Sequence, residues 1–236
     1  MHRLGFWIFT SIATALATGC SGGEDGEPDE LTLLDAPAAE VDAAPEAQDV
    51  PAGAPTVVFL GDSLGAGLHL AEHQAFPAVL QRALADERPF HLVNASESGR
   101  TTSGGVTALD WVMQREPDLV VIELGANDGL RGIPIADVES NLRALVQRAR
   151  EGDADVLLLG MRMPPNYGDY GAEFDALYPR LADELKVPFV PAFLQGVGGE
   201  PEMNLPDGIH PTAAGHEKLA ENVTPALREA LGRLAP

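Results

Sequence analysis

From Thr56 to the C-terminus, short apolar runs alternate with longer segments whose apolar residues recur every three or four positions. No other feature of the chain limits its fold as much. A run that is apolar on both faces must be covered on both sides, and parallel strands joined by helical crossovers achieve this. Leu119–Leu124 reads as the strongest central strand, with Thr56–Leu60, His91–Val93, Val156–Gly160 and Phe189–Val190 beside it. Helices are expected over Pro77–Leu84, Val106–Arg115, Ala136–Glu151, Phe174–Leu185 and Ala213–Leu234. Open α/β sheets bind ligands at the carboxyl ends of their strands, which directs attention to the loops after Leu60, Val93, Leu124 and Val190.

The chain ahead of Thr56 has a different character. Met1-His2-Arg3 is a weakly basic start, and Leu4–Ala17 is an uncharged, largely apolar run too short for a membrane-spanning helix. It ends in Leu16-Ala17-Thr18-Gly19-Cys20-Ser21, which resembles the lipobox of bacterial lipoproteins, with Cys20 as the lipid-modified residue. The alternative is a plain secretory signal that leaves a free exported thiol. Residues 1–20 are thus expected to be a lipoprotein signal peptide, placing the protein in the bacterial cell envelope: exported to the periplasm, and anchored by lipid at the outer membrane. Cys20 is the only cysteine, so no disulfide can form within the chain.

Residues 21–55 carry ten Asp or Glu, no Lys or Arg, and many Ala, Gly and Pro. With no apolar periodicity, this stretch is expected to be a disordered acidic linker spanning on the order of 30 Å. The remainder from Thr56 holds 26 acidic against 14 basic residues within a net charge of -21. An acidic domain without a basic stripe argues against nucleic acid as partner and against electrostatic docking on anionic lipid.

The loop after the first strand, Gly61-Asp62-Ser63-Leu64-Gly65, places one serine in two signatures, G-x-S-x-G and G-D-S-L. In α/β-hydrolases the G-x-S-x-G serine follows several earlier strands, and its acid is not three residues from its histidine. Here one strand precedes Ser63, which excludes that reading. A serine hydroxyl is a weak nucleophile until an oriented imidazole takes its proton. His91 begins a strand and reads as structural, and His216, early in the last helix, is expected on a solvated face. Asp207-Gly208-Ile209-His210-Pro211 sets a carboxylate three residues before an imidazole in a loop after the last strand. That spacing alone is also that of a helix N-cap aspartate near an exposed histidine. For the oxyanion, Gly99 in Asn94–Gly99 could offer a backbone N–H, Asn127 in Gly125–Asp128 a side-chain amide, and Ser63 its own N–H.

Taken in order, GDSL (61–64), the glycine of NASESG (94–99), GAND (125–128) and DGIHP (207–211) resemble the four blocks of the SGNH, or GDSL, hydrolase superfamily. IELGANDGLRG (122–132) and RMPPNYG (162–168) are similar to its bacterial periplasmic thioesterase I/lysophospholipase/arylesterase group. The resemblance covers nearly all of residues 56–236. It implies a three-layer α/β/α flavodoxin-like sandwich around a central, mainly parallel five-stranded sheet. It implies Ser63 as nucleophile, His210 as base, Asp207 as orienting acid, and Ser63, Gly99 and Asn127 as the oxyanion hole. It also implies no metal or other cofactor, and as partner a small-molecule or lipid ester. The activity expected is hydrolysis of aryl esters, lysophospholipids or acyl-thioesters. Carbohydrate deacetylation and a non-catalytic, lipid-anchored binding module are the alternatives.

His69-Leu70-Ala71-Glu72-His73 also matches H-x-x-E-H, a zinc signature that requires a continuous helix. It follows Gly65 and Gly67 too closely for one, so these are expected to be surface histidines near the cleft mouth.

Overall fold

The computed structural model describes residues 49–234. The expected signal peptide with Cys20, and residues 21–48 of the expected linker, lie outside the described residues. Among the described residues, five strands form one sheet, β1 (Thr56–Gly61), β2 (His91–Asn94), β3 (Leu119–Glu123), β4 (Asp155–Leu159) and β5 (Phe189–Val190), in the order β2-β1-β3-β4-β5. All four pairings are parallel, so the sheet is wholly rather than mainly parallel. Its helices are α1 (Ser63–Ala66), α2 (Phe76–Ala83), α3 (Thr102–Met113), α4 (Ala126–Leu130), α5 (Ile135–Glu151), α6 (Gly168–Leu185) and α7 (Ala213–Leu234).

Every residue of β3 is buried, as a central strand covered on both faces must be. Helix α3 packs on α5 and α5 on α6, while α2 packs on α7, giving the three-layer α/β/α arrangement. Helix α5 turns Val138, Leu142, Leu145, Val146 and Ala149 inward, the stripe its three-and-four spacing predicts. Each such fully buried Val or Leu contributes about 1.5–3 kcal/mol relative to exposure.

Helices α3 and α6 begin earlier than their apolar periodicity suggests. Two glycines open each, and glycine is a poor helix former. Close packing overrides that preference: a Cβ at Gly105 would run into Leu124, and one at Gly171 would press on Tyr167 and Met163. Thr101 caps α3 by accepting the Gly104 amide at 3.2 Å.

Asp49–Pro55, the end of the expected linker, is described and lies against the domain. Ala54 N–H closes a turn on the Pro51 carbonyl at 2.9 Å, and His91 N–H reaches the Pro55 carbonyl at 2.9 Å. The His91 ring bonds the Pro51 carbonyl through Nε2 at 3.1 Å, which gives this histidine its structural role.

The strand order sets where a ligand can bind. The chain leaves β1 toward β2 on one side and returns to β3 on the other. The crevice at the carboxyl ends of β1 and β3 is therefore the topological switch point.

Candidate active site

Ser63 begins α1 directly after β1, and Asn127 lies in α4 directly after β3, so both stand at that switch point. Gly99 lies in the loop after β2, and Asp207 and His210 in the loop after β5. Five residues from four loops thus gather at one edge of the sheet.

The His210 loop is tied to itself. Leu205 N–H bonds the His210 carbonyl at 2.7 Å, and Thr212 N–H bonds the Met203 carbonyl at 2.9 Å. The buried Asn204 amide donates to the Val197 and Glu200 carbonyls at 2.6 and 2.8 Å. Within this frame Asp207 Oδ1 accepts the backbone N–H groups of Ile209 and His210 at 2.9 and 3.0 Å, and Oδ2 meets His210 Nδ1 at 2.6 Å. The imidazole bond and these two amides hold the Asp207 carboxyl far below the usual carboxylate range. An ionised Asp207 accepts only, so the His210 proton sits on Nδ1 and Nε2 keeps its lone pair. That nitrogen lies 3.1 Å from Ser63 Oγ, within reach of the hydroxyl proton.

Asp62 caps α1 by accepting the Leu64 amide at 3.0 Å on Oδ1, and its Oδ2 accepts Asn127 Nδ2 at 3.0 Å. It is almost wholly buried, and burial pushes its carboxyl up to about 6 against the pull of these donors. Asn127 Nδ2 carries a second hydrogen beyond the one given to Asp62. Arg131 Nη2 donates to Asn127 Oδ1 at 3.3 Å and to the Gly99 carbonyl at 3.1 Å. One guanidinium thereby fixes which way the Asn127 amide faces and ties it to the Gly99 turn.

Beneath Ser63 lies Glu123, the last residue of β3. Its side chain is fully buried, and Oε2 accepts the N–H groups of Asp62 and Gly65 at 3.1 and 3.0 Å. Burial, reinforced by Asp62 nearby, raises this carboxyl well above its ordinary value, the direction that favours its neutral form. Asn94 Nδ2 holds the same turn from the other side by donating to the Gly65 carbonyl at 2.8 Å. A Cβ at Gly65 would collide with the Ser96 side chain, so the second glycine of G-x-S-x-G is required here for close packing.

Gly125 shapes the Asn127 segment in the same manner. Its φ of +121° suits glycine alone, and a Cβ would overlap the Tyr178 hydroxyl, which donates to the Leu124 carbonyl at 2.8 Å. Asp128 anchors this segment to α3, accepting Thr102 N–H at 2.8 Å and its hydroxyl at 2.6 Å.

His216 corrects an expectation. It is buried rather than solvated: its Nδ1 accepts the Phe76 amide at 3.1 Å, and its ring stacks on Phe76 at 6.4 Å. Burial lowers its pKa to about 4, with His210 contributing, so it stays neutral and joins the starts of α2 and α7. The H-x-x-E-H stretch is no zinc helix. His69 has a left-handed backbone, and Glu72–Gln74 form a single 3-10 turn.

A serine hydroxyl against an imidazole that is itself held by a carboxylate, with an amide donor alongside, defines the class of serine hydrolases that act by acyl transfer. Residues 59–218, more than half of the chain, match the model of the GDSL-like Lipase/Acylhydrolase family, and the chain belongs to that family. It is 47% identical to Esterase TesA of Pseudomonas aeruginosa over 76% of this chain and 91% of that protein. It is 39% identical to Thioesterase 1/protease 1/lysophospholipase L1 of Escherichia coli K12, covering 72% of this chain and 82% of that one. The crystal structure of the psychrotrophic esterase EstA from Pseudoalteromonas sp., inhibited by monoethylphosphonate, superposes with a TM-score of 0.71 at 30% identity, over 75% of this chain and 99% of that one.

Proposed function

We propose that the protein hydrolyses carboxylic esters and thioesters of apolar acyl or aryl groups through an acyl-enzyme on Ser63. The observation that carries this reading is the hydrogen-bonded series from Asp207 through His210 to Ser63, at 2.6 and 3.1 Å. His210 Nε2 takes the hydroxyl proton as Ser63 Oγ attacks the carbonyl carbon, and Asp207 steadies the imidazolium. The negative oxygen is met by the N–H groups of Ser63 and Gly99 and by the second Nδ2 hydrogen of Asn127. His210 returns its proton to the departing alkoxide or thiolate. A water molecule then gives its proton to the same nitrogen, cleaves the acyl-enzyme and restores Ser63.

Exposed apolar side chains favour acyl and aryl groups over sugars. Leu130 ends α4 three residues after Asn127, and Ile209 adjoins His210; they are 42% and 54% exposed. The names of the esterase and lysophospholipase relatives agree with that preference. A fluorophosphonate probe should label the wild-type chain and leave Ser63→Ala unlabelled. A panel of aryl esters, acyl-thioesters, lysophospholipids and acetylated sugars should turn over in all but the last class. Equal labelling of the two proteins would remove Ser63 from its role, and turnover of acetylated sugars alone would replace the substrate class.

The reading extends to location. Residues 1–20 are proposed to direct export and to end in a lipid anchor at Cys20, with the acidic stretch behind it holding the enzyme off the membrane surface. Cells fed labelled palmitate should incorporate it into the wild-type chain but not into Cys20→Ala. Incorporation into both, or neither, overturns the anchor.

A further inference from the structure

Acyl transfer as described gives His69 no part, yet its placement is specific. It lies in the loop after α1 with φ +72°, a left-handed conformation that histidine tolerates better than most residues but that still carries strain. That backbone puts its ring edge-on to the His210 ring, with centroids 5.8 Å apart and planes at 86°. His69 and Asp207 are exposed and His210 is partly so, and one donor atom from each of the three lies within 4.8 Å of the others. Two imidazoles and a carboxylate are the donor set that zinc and similar divalent cations favour, whereas magnesium and calcium prefer oxygen alone.

We propose that His69, Asp207 and His210 form an inhibitory site for a divalent transition cation of the zinc type. The proposal rests on the reading of His210 as the base for Ser63. Zinc bonds of about 2.0–2.1 Å place tetrahedral donors roughly 3.3 Å apart, so His69 has to draw in by up to about 1.5 Å while the Asp207–His210 pair, now at 2.6 Å, opens by under about 1 Å. His69 is exposed and its side chain can swing through that distance, while Asp207 and His210 adjust only within their braced loop. A water completes the fourth position.

The geometry also says how the cation would act. Asp207 Oδ2 and His210 Nδ1 already face each other at 2.6 Å across a single proton. A cation between them takes the Nδ1 lone pair, and the one proton of the neutral imidazole moves to Nε2. Nothing is oxidised and no proton leaves the ring. With Nε2 now protonated, His210 can no longer accept the Ser63 proton, so hydrolysis stops until the cation is removed. His69 supplies the third ligand, which separates this site from any ordinary Asp-His pair.

The test compares the untagged full chain, Ser63→Ala and His69→Asn; asparagine suits the left-handed backbone and removes the imidazole. Zinc binding is titrated calorimetrically, and zinc inhibition of p-nitrophenyl ester hydrolysis is measured with reversal by EDTA. The expected result is one zinc per chain in the wild type and in Ser63→Ala, weakened about tenfold or more in His69→Asn. The half-inhibitory zinc concentration should rise by the same factor in His69→Asn, whose zinc-free activity stays unchanged. Equal affinity and equal inhibition in the wild type and His69→Asn would overturn the site, as would zinc binding without inhibition of an active wild type. Zinc bound through His69 in a chain that hydrolyses no ester would keep the site and overturn the reading of function instead. Circular dichroism melting of His69→Asn confirms that it folds.

Discussion

Asn127 donates one of its two amide hydrogens to the buried Asp62 carboxyl at 3.0 Å, which leaves one hydrogen for a substrate. Asp62, next to the proposed nucleophile, therefore orients the proposed oxyanion donor, and this bond joins the loops after β1 and β3.

Asn127→Ala should accordingly cost more than a lost surface contact. Removing one oxyanion donor typically lowers kcat by 10²–10³, about 3–4 kcal/mol of transition-state stabilisation. The loss should fall on kcat with KM for a p-nitrophenyl ester little changed, because the bond forms fully only in the transition state. A variant that raises KM and keeps kcat would show that Asn127 merely binds substrate.

Glu123 acts from beneath. Its Oε2 holds the amides of Asp62 and Gly65, so it positions the turn carrying the Ser63 N–H. Glu123→Gln keeps an acceptor of the same shape and should cost less than about 1.5 kcal/mol in urea unfolding. Glu123→Ala leaves two buried amides unpaired beside a cavity and should cost about 3 kcal/mol or more, with activity lost alongside. Equal stability losses in the two variants would contradict the role of Glu123 as acceptor for the two amides.

His216 gives stability a pH dependence whose sign is definite. Its folded pKa is about 4, against 6.5 in an unfolded chain, so between those values the unfolded chain binds more protons. Its contribution is complete above pH 6.5 and is lost as the pH falls to 4, amounting to about 3 kcal/mol. Asp62, raised from 3.8 to about 6, works in the opposite direction over pH 4–6, since there the folded state binds the proton. His216→Gln keeps an acceptor for the Phe76 amide without titrating. Urea midpoints taken from pH 7 to 4 should show the variant gaining on the wild type as acid is added; a constant difference would mean that His216 is charged or exposed.

Gly125→Ala tests the backbone under Asn127. With φ at +121° and the Tyr178 hydroxyl in the way, the methyl must displace either that side chain or the loop. The expected cost is about 3 kcal/mol or more, from backbone strain and overpacking together. Thermal unfolding measures it, and an unchanged midpoint would mean that the loop relaxes without strain.

The strands and most helices were legible because a two-sided apolar run or a three-and-four stripe records burial directly. The proposed site of Ser63, Gly99, Asn127, Asp207 and His210 came from the resemblance of four short motifs, in order, to a known family. His216 was misread, although the signal was present: His216, Leu219, Ala220, Val223 and Leu227 lie on one helical stripe, and its apolar company pointed inward. Glu123 gave no such signal, because the polar end of a buried strand looks the same whether it faces water or a hidden turn. Arg131 was invisible for another reason. Its role depends on Gly99 and Asn127 meeting across the sheet edge, a distance that no local pattern encodes.

The Asp207–His210 pair is assembled within a single turn, and that turn is braced by its own hydrogen bonds to Leu205 and Met203. Acid and base therefore share one rigid body, and only its placement over Ser63 remains adjustable. Any strain reaching this loop through α7 moves the pair as a unit, so the relay from carboxylate to imidazole outlasts the relay from imidazole to hydroxyl. In the proposed mechanism, the joint between His210 and Ser63 is where alignment is won or lost.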